Sequence, residues 1–207
     1  MTCQNWEDFW LNEGYTVFIE RHVSKRLYGE GFAQVEAFLG NTSMYQDMKT
    51  FGLNNTYSSI HPVLKGDNPD NSFTELPYEK GFQLLSYIES ILGESMMEEY
   101  ITYHIDEHTL HSITAYDMRA TFARFVEDHY DSPQEVNRIL SQVSFNEWIY
   151  EVSLDPTGTL NFDTQEGSDS AALAMQYISL NGTASPDNYK EYFAFYSNLK
   201  VVFHDTL

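Results

Sequence analysis

Between Trp6 and Tyr28 the apolar residues Phe9, Trp10, Val17, Phe18 and Leu27 recur at helical spacing, which predicts one long buried helix with the carboxylate Glu13 inside it. A second helical pattern runs from about Gly31 to Met48, and Gly29 and Gly31 punctuate the join. Residues 51–75 show no sustained period and are rich in Asn, Ser, Thr, Gly, Pro and Asp, so they read as a long loop of the kind that carries function. Pro77 then suits the first turn of a helix that passes Leu84, Leu85 and Ile88 and stops at Gly93. Ser95 with Glu98, Ser132 with Glu135 and Ser144 with Glu147 spell capping boxes, and Thr114 and Asp117 open a segment containing Phe122, Phe125 and Val126.

The pattern fails around 151–168, where Asp155, Pro156, Gly158 and Gly167 make a polar connector. Beyond it, helices are expected at Asp169–Leu180, Asp187–Tyr196 and from Asn198 onward, too little to close a core alone. The division implied is 1–150, a linker at 151–168, and 169–207. The fold class is mainly α.

Composition narrows the partners. Among 207 residues, 31 Asp+Glu against 11 Lys+Arg give a net charge of −20, which repels phosphate backbones and anionic lipid. Nucleic acid and membrane surfaces are therefore not expected as partners. The single cysteine, Cys3, leaves no intramolecular disulfide and fits a reducing compartment, with the cytoplasm as the expected location. No apolar run approaches the roughly 20 residues that span a bilayer. The aromatic cluster Trp6, Phe9, Trp10 follows Met1 almost at once, as though the chain opened inside a core.

Candidate chemistry lies in three strings. A carboxylate in an aromatic helix is costly unless it is paired or bound to a metal, so Glu13 in Trp10-Leu11-Asn12-Glu13-Gly14 is either a structural residue, ion-paired or at a helix edge, or a ligand. In Pro77-Tyr78-Glu79-Lys80-Gly81-Phe82, Tyr78 at a helix start either packs at a loop–helix junction or donates its hydroxyl to an oxyanion where peptide dipoles favour negative charge. Asp70 in Asp67-Asn68-Pro69-Asp70-Asn71-Ser72-Phe73 has the spelling of a turn residue. A fourth string, His104-Ile105-Asp106-Glu107-His108, spells the inverted zinc motif H-x-x-E-H, although histidines on such an acidic helix face ordinarily meet solvent.

The first two strings resemble the W-L-N-E-G and P-Y-E-K-G-F of gluzincin zinc aminopeptidases of the leukotriene A(4) hydrolase type. The third is similar to their D-x-D-P-D loop, in the fungal-like form with Phe73 where animal enzymes have tyrosine. Lys49-Thr50-Phe51-Gly52 and Trp148-Ile149-Tyr150 keep the same order, and the likeness thins beyond about residue 93. The resemblance implies the helical lobe of a thermolysin-like metallopeptidase domain, followed by the start of an α-helical superhelical, armadillo-like domain. It implies a zinc cofactor with Glu13 as third ligand, Tyr78 stabilising the tetrahedral intermediate of peptide hydrolysis, and Asp70 at the substrate, where animal relatives also hydrolyse an epoxide. In the family, H-E-x-x-H supplies two histidine ligands and the general base, with the ligand glutamate about eighteen residues on. Counting back from Glu13 puts the second histidine before Met1. A chain carrying one ligand of three is expected to be an inactive fragment of a peptidase, or else a noncatalytic helical binding module derived from one.

Overall fold

The computed structural model describes residues 1–180, 192, 194, 195 and 197–206. It is built of helices: α1 Trp10–Tyr28, α2 Glu30–Phe51, α3 Leu76–Leu92, α4 Glu94–Glu107, α5 Ala115–His129, α6 Pro133–Gln142, α7 Phe145–Ile149, α8 Gln165–Leu180 and α9 Ser197–Thr206. Most of the helix from Asp187 to Tyr196 expected from the pattern lies outside the described residues. Two short strands, β1 Thr2–Cys3 and β2 Ser112–Ile113, pair in parallel with Thr2 opposite Ser112 and Cys3 opposite Ile113. Two residues are too few to show a period of two, so no pattern announced them.

The helices form for local reasons where the caps are real. Thr114 accepts the Asp117 amide while the Asp117 carboxylate takes the Thr114 amide at 2.8 Å, a complete capping box at the head of α5. Asp8, more than a hundred positions earlier, adds an acceptor for Ala115 N at 3.1 Å. Replacing Thr114 by alanine is expected to cost about 1 kcal/mol of stability in urea unfolding. Ser132 caps α6 with Pro133 in its first turn, but the Glu135 side chain turns to Arg138 at 2.7 Å instead of closing the box.

Three expected features differ. Ser95 is not a cap: Gly93, at φ +87°, ends α3, and α4 starts at once with Met97 N bonding to Gly93 O. Ser144 precedes α7 without making a side-chain cap bond. The first helix begins at Trp10 and not Trp6, because Asn5 caps a separate 3₁₀ turn over Trp6–Asp8. Within α1, Trp10, Leu11, Tyr15, Val17 and Phe18 are buried, while Leu27 is 67% exposed.

The described residues fall into two compact units. The first, Met1–Phe18 with Ser43–Leu160, stacks α3 on α4, α4 on α5 and α5 on α6 around Leu84, Leu85, Ile88, Met118, Phe122 and Trp148. Tyr100 sits at its centre with its ring 5.4 Å from Phe122 and 5.3 Å from Phe125. The second unit, Ile19–Thr42 with Asn161–Leu207, buries Val35 against Leu199 and Val202, and Leu173 and Ala174 against Phe203. The C-terminal helices thus close their core with residues 19–42, consistent with their being too few to do so alone. Residues 151–164 form no helix or strand, and α8 begins at Gln165, inside the stretch expected to be a connector.

Candidate active site

Glu13 lies in the first turn of α1 and Tyr78 in the first turn of α3. Each residue of the surrounding strings has a physical task. In the first string, Trp10 and Leu11 enter the core, and Asn12 Oδ1 accepts Cys3 N at 2.8 Å, tying β1 to the helix start. Tyr15 is buried with its hydroxyl 3.2 Å from that of Tyr100. In the second, Pro77 fits the first turn of α3, and Asp47 of α2 accepts the Glu75 amide at 2.7 Å just before it. Lys80 is fully buried and donates to Glu151 O at 3.0 Å and Ser153 Oγ at 3.3 Å, anchoring the chain that leaves α7. That burial pulls its ammonium down to about 8. Phe82 meets Phe18, with ring centres 6.3 Å apart.

At the two helix starts, Phe9 packs edge-on against Tyr78 at 6.0 Å, and Phe73 also packs edge-on against it at 6.2 Å. The chain therefore holds the Tyr78 ring in an aromatic frame while its half-buried phenol stays reachable. Desolvation, then the negative charges of Glu13 and Glu75, push the Tyr78 phenol above its usual range, so at neutral pH it is a hydrogen-bond donor. Glu13 is half-buried and has no ion-pair partner among the described residues, and desolvation raises its carboxyl. The ion-paired structural meaning therefore loses its support, while the first turn of α1 is the helix edge that the other structural meaning requires. Asp70 is exposed on a 3₁₀ turn, Pro69–Ser72, whose Asp70 amide is capped by Asn68 Oδ1 at 3.1 Å. It joins the site only through Phe73, which follows the turn and touches Tyr78.

The H-x-x-E-H string assembles differently from its spelling. His104 is fully buried instead of solvent-facing, stacked on Tyr15 at 5.0 Å with the rings 9° from parallel. Its ring centre is 4.9 Å from that of His108, whose Nε2 meets Thr121 Oγ1 at 2.7 Å. Since the Thr121 hydroxyl donates to Asp117 O at 2.9 Å, His108 Nε2 is the donor of this pair. Glu107 turns to Arg124 at 3.2 Å. Among the described residues no group of three or more His, Cys, Asp or Glu side chains is placed to hold a metal ion. A glutamate can hold one position of a catalytic zinc shell, and the described residues place no group of side chains to supply the other two protein ligands.

Known proteins place this arrangement. The profile of the "Peptidase family M1 domain" matches residues 1–148, the stretch that contains both strings. The chain belongs to peptidase family M1. The chain is 31% identical over 204 residues to leucine aminopeptidase 2 of Aspergillus clavatus, covering 98% of this chain and 32% of that protein. It is also 31% identical over 199 residues to a leukotriene A-4 hydrolase homolog of Botryotinia fuckeliana, covering 96% and 29% respectively. Among solved structures, that of yeast LTA4 hydrolase in complex with bestatin superposes with a TM-score of 0.83 at 26% identity, covering 100% of this chain and 33% of that one. The native Saccharomyces cerevisiae structure gives 0.84 at 26% identity, covering 100% and 33%. The chain thus spans about a third of the length of these relatives, and its fold is the helical part of theirs.

The strings announced Glu13 and Tyr78, but not the roles of Gly14, Lys80 and Gly81 beside them. The repeated glycines were the available signal, since a helix interior gives up stability to hold one.

Proposed function

We propose that this chain provides part of the active site of a zinc aminopeptidase that removes N-terminal residues from peptides. The observation that carries the proposal is a half-buried carboxylate, Glu13, with no cation partner among the described residues and with the Tyr78 phenol close enough to feel its charge. Glu13 would hold one position of the zinc shell, and the two histidine ligands and the general base would come from residues outside the 207. When bound, zinc supplies Lewis-acid polarisation of the scissile carbonyl and a nucleophilic water near neutral pH.

Tyr78 donates its hydroxyl to the oxygen that gains charge as the carbonyl carbon becomes tetrahedral. Desolvation and the neighbouring carboxylates keep that proton on the phenol, and the positive end of α3 favours the charge that develops on the accepting oxygen. Asp70, exposed beside Phe73, serves the rim where peptide substrate is held, and the acidic surface suits the free ammonium at a peptide's N-terminus. Peptide hydrolysis is the reading we adopt over epoxide opening, because Phe73 stands where the animal enzymes have tyrosine. We further propose the division into a peptidase lobe over 1–150, a linker over 151–168 whose last four residues already belong to α8, and the first helices of the following domain over 169–207, packed with residues 19–42, in a reducing, cytoplasmic setting consistent with the unpaired Cys3.

The test is a chimera in which these 207 residues replace the matching segment of the Aspergillus clavatus enzyme. Hydrolysis of leucine arylamides by the chimera is the expected result. A folded, zinc-loaded chimera without turnover would contradict the assignment.

A further inference from the structure

Gly14 follows Glu13 directly, and Gly81 lies three residues, close to one helical turn, after Tyr78. These two glycines touch. A β-carbon built on Gly14 would lie 2.7 Å from Gly81 Cα and 2.9 Å from its carbonyl carbon. One built on Gly81 would lie 2.7 Å from Gly14 Cα and 3.4 Å from Trp10 O. Both sets of neighbours are main chain, so no side chain can swing aside to make room. Neither glycine has the positive φ that marks Gly29 and Gly93, so conformational freedom is not what calls for glycine here. The missing side chain is.

We propose that the Gly14–Gly81 contact is the positioning element of the site: it lets α1 and α3 cross backbone to backbone, and thereby fixes the separation of the Glu13 carboxylate from the Tyr78 hydroxyl. Helices that carry side chains at their contact keep their axes about 8–10 Å apart. An alanine at either position forces the two backbones to separate. Because Glu13 and Tyr78 ride on those backbones within one turn of the contact, they separate with them. Phe9 and Phe73 orient the Tyr78 ring but come from the N-terminal side, so they do not set the distance between the helices. A third tight glycine shows the contrast. A β-carbon on Gly31 of α2 would meet the Glu166 carboxylate at 2.9 Å, a flexible end that can move away.

The catalytic meaning of this contact rests on the aminopeptidase reading, but its existence does not, and the test keeps the two apart by reading structure and not turnover. In the purified chain, with labelled glycine and a single labelled tyrosine at position 78, NMR at pH 7 is expected to show a cross-peak between the α-protons of Gly14 and Gly81. Glu13→Gln is expected to shift the Tyr78 ring resonance. In a Gly14→Ala or Gly81→Ala background most of that response is lost, whereas Gly31→Ala leaves it intact. A role limited to helix packing would lower the melting temperature of the alanine variants and leave the Tyr78 response whole, and that result overturns the proposal. Should neither alanine variant hold its fold, the wild-type cross-peak decides, and its absence overturns the proposal equally. Failure of the chimera to hydrolyse peptides, with these signals present, would count against the function alone.

Discussion

Tyr78→Phe in the chimera is expected to lower kcat by about 10²- to 10³-fold, the usual consequence of removing one oxyanion donor, with a much smaller change in KM. The substitution leaves the ring in place against Phe9 and Phe73, so the fold has no reason to respond. The contrast with Glu13→Gln is the informative part. A neutral amide is a poor zinc donor, so this variant is expected to lose metal and turnover together, whereas Tyr78→Phe keeps its zinc. Steady-state kinetics with metal analysis on both variants checks this. Equal loss of zinc in the two would mean that Tyr78 supports the metal site and not the transition state.

The second large effect concerns stability and acid. Neither ring nitrogen of His104 has a hydrogen-bond partner among the described residues, and the ring is fully buried between Tyr15 and Tyr100. Burial, reinforced by His108, pushes the imidazole down to about 3. The folded protein therefore resists a proton that the unfolded chain accepts below about 6.5. The sign follows: between these two values the unfolded state binds more protons, so stability is complete above about pH 6.5 and is lost as pH falls toward 3. At pH 5 the loss from this one residue is about 2 kcal/mol. His104→Phe removes both unpartnered nitrogens and the titration. It is expected to raise stability by about 1–2 kcal/mol at pH 7 and to flatten the acid limb between pH 6.5 and 4. Urea unfolding across that range is the measurement, and a variant that is less stable at every pH would show that the ring nitrogens are satisfied after all.

How much of this was legible in the chain varies by element, and the differences have causes. The heads of α3, α5 and α6 could be read because their signals are local: Pro77, the Thr114–Asp117 pair, and Ser132 with Pro133 act within one turn. Ser95 misled because the same serine-to-glutamate spacing can fall inside a helix, and Gly93 had already made the break. The β1–β2 pair was invisible because its register joins residues about 110 positions apart. Within the site, Glu13 and Tyr78 were found by the spelling of their strings, while the reasons for that spelling were not. Lys80 bonds to residues some seventy positions away, and Gly14 meets Gly81 across two helices. His104 misled in the opposite sense: an acidic helix suggested an exposed ring, but its own face packs on Tyr15 and Tyr100.

The central claim is that this chain brings one zinc ligand, Glu13, to a site completed by residues beyond it. Zinc stoichiometry after exhaustive dialysis, on the chain alone and on the chimera, tests it most directly. The account predicts no retained zinc on the chain and about one equivalent on the chimera, lost with Glu13→Gln. A full equivalent held tightly by the isolated chain, and lost with His104→Ala and His108→Ala, would contradict it and move the metal to the inverted motif.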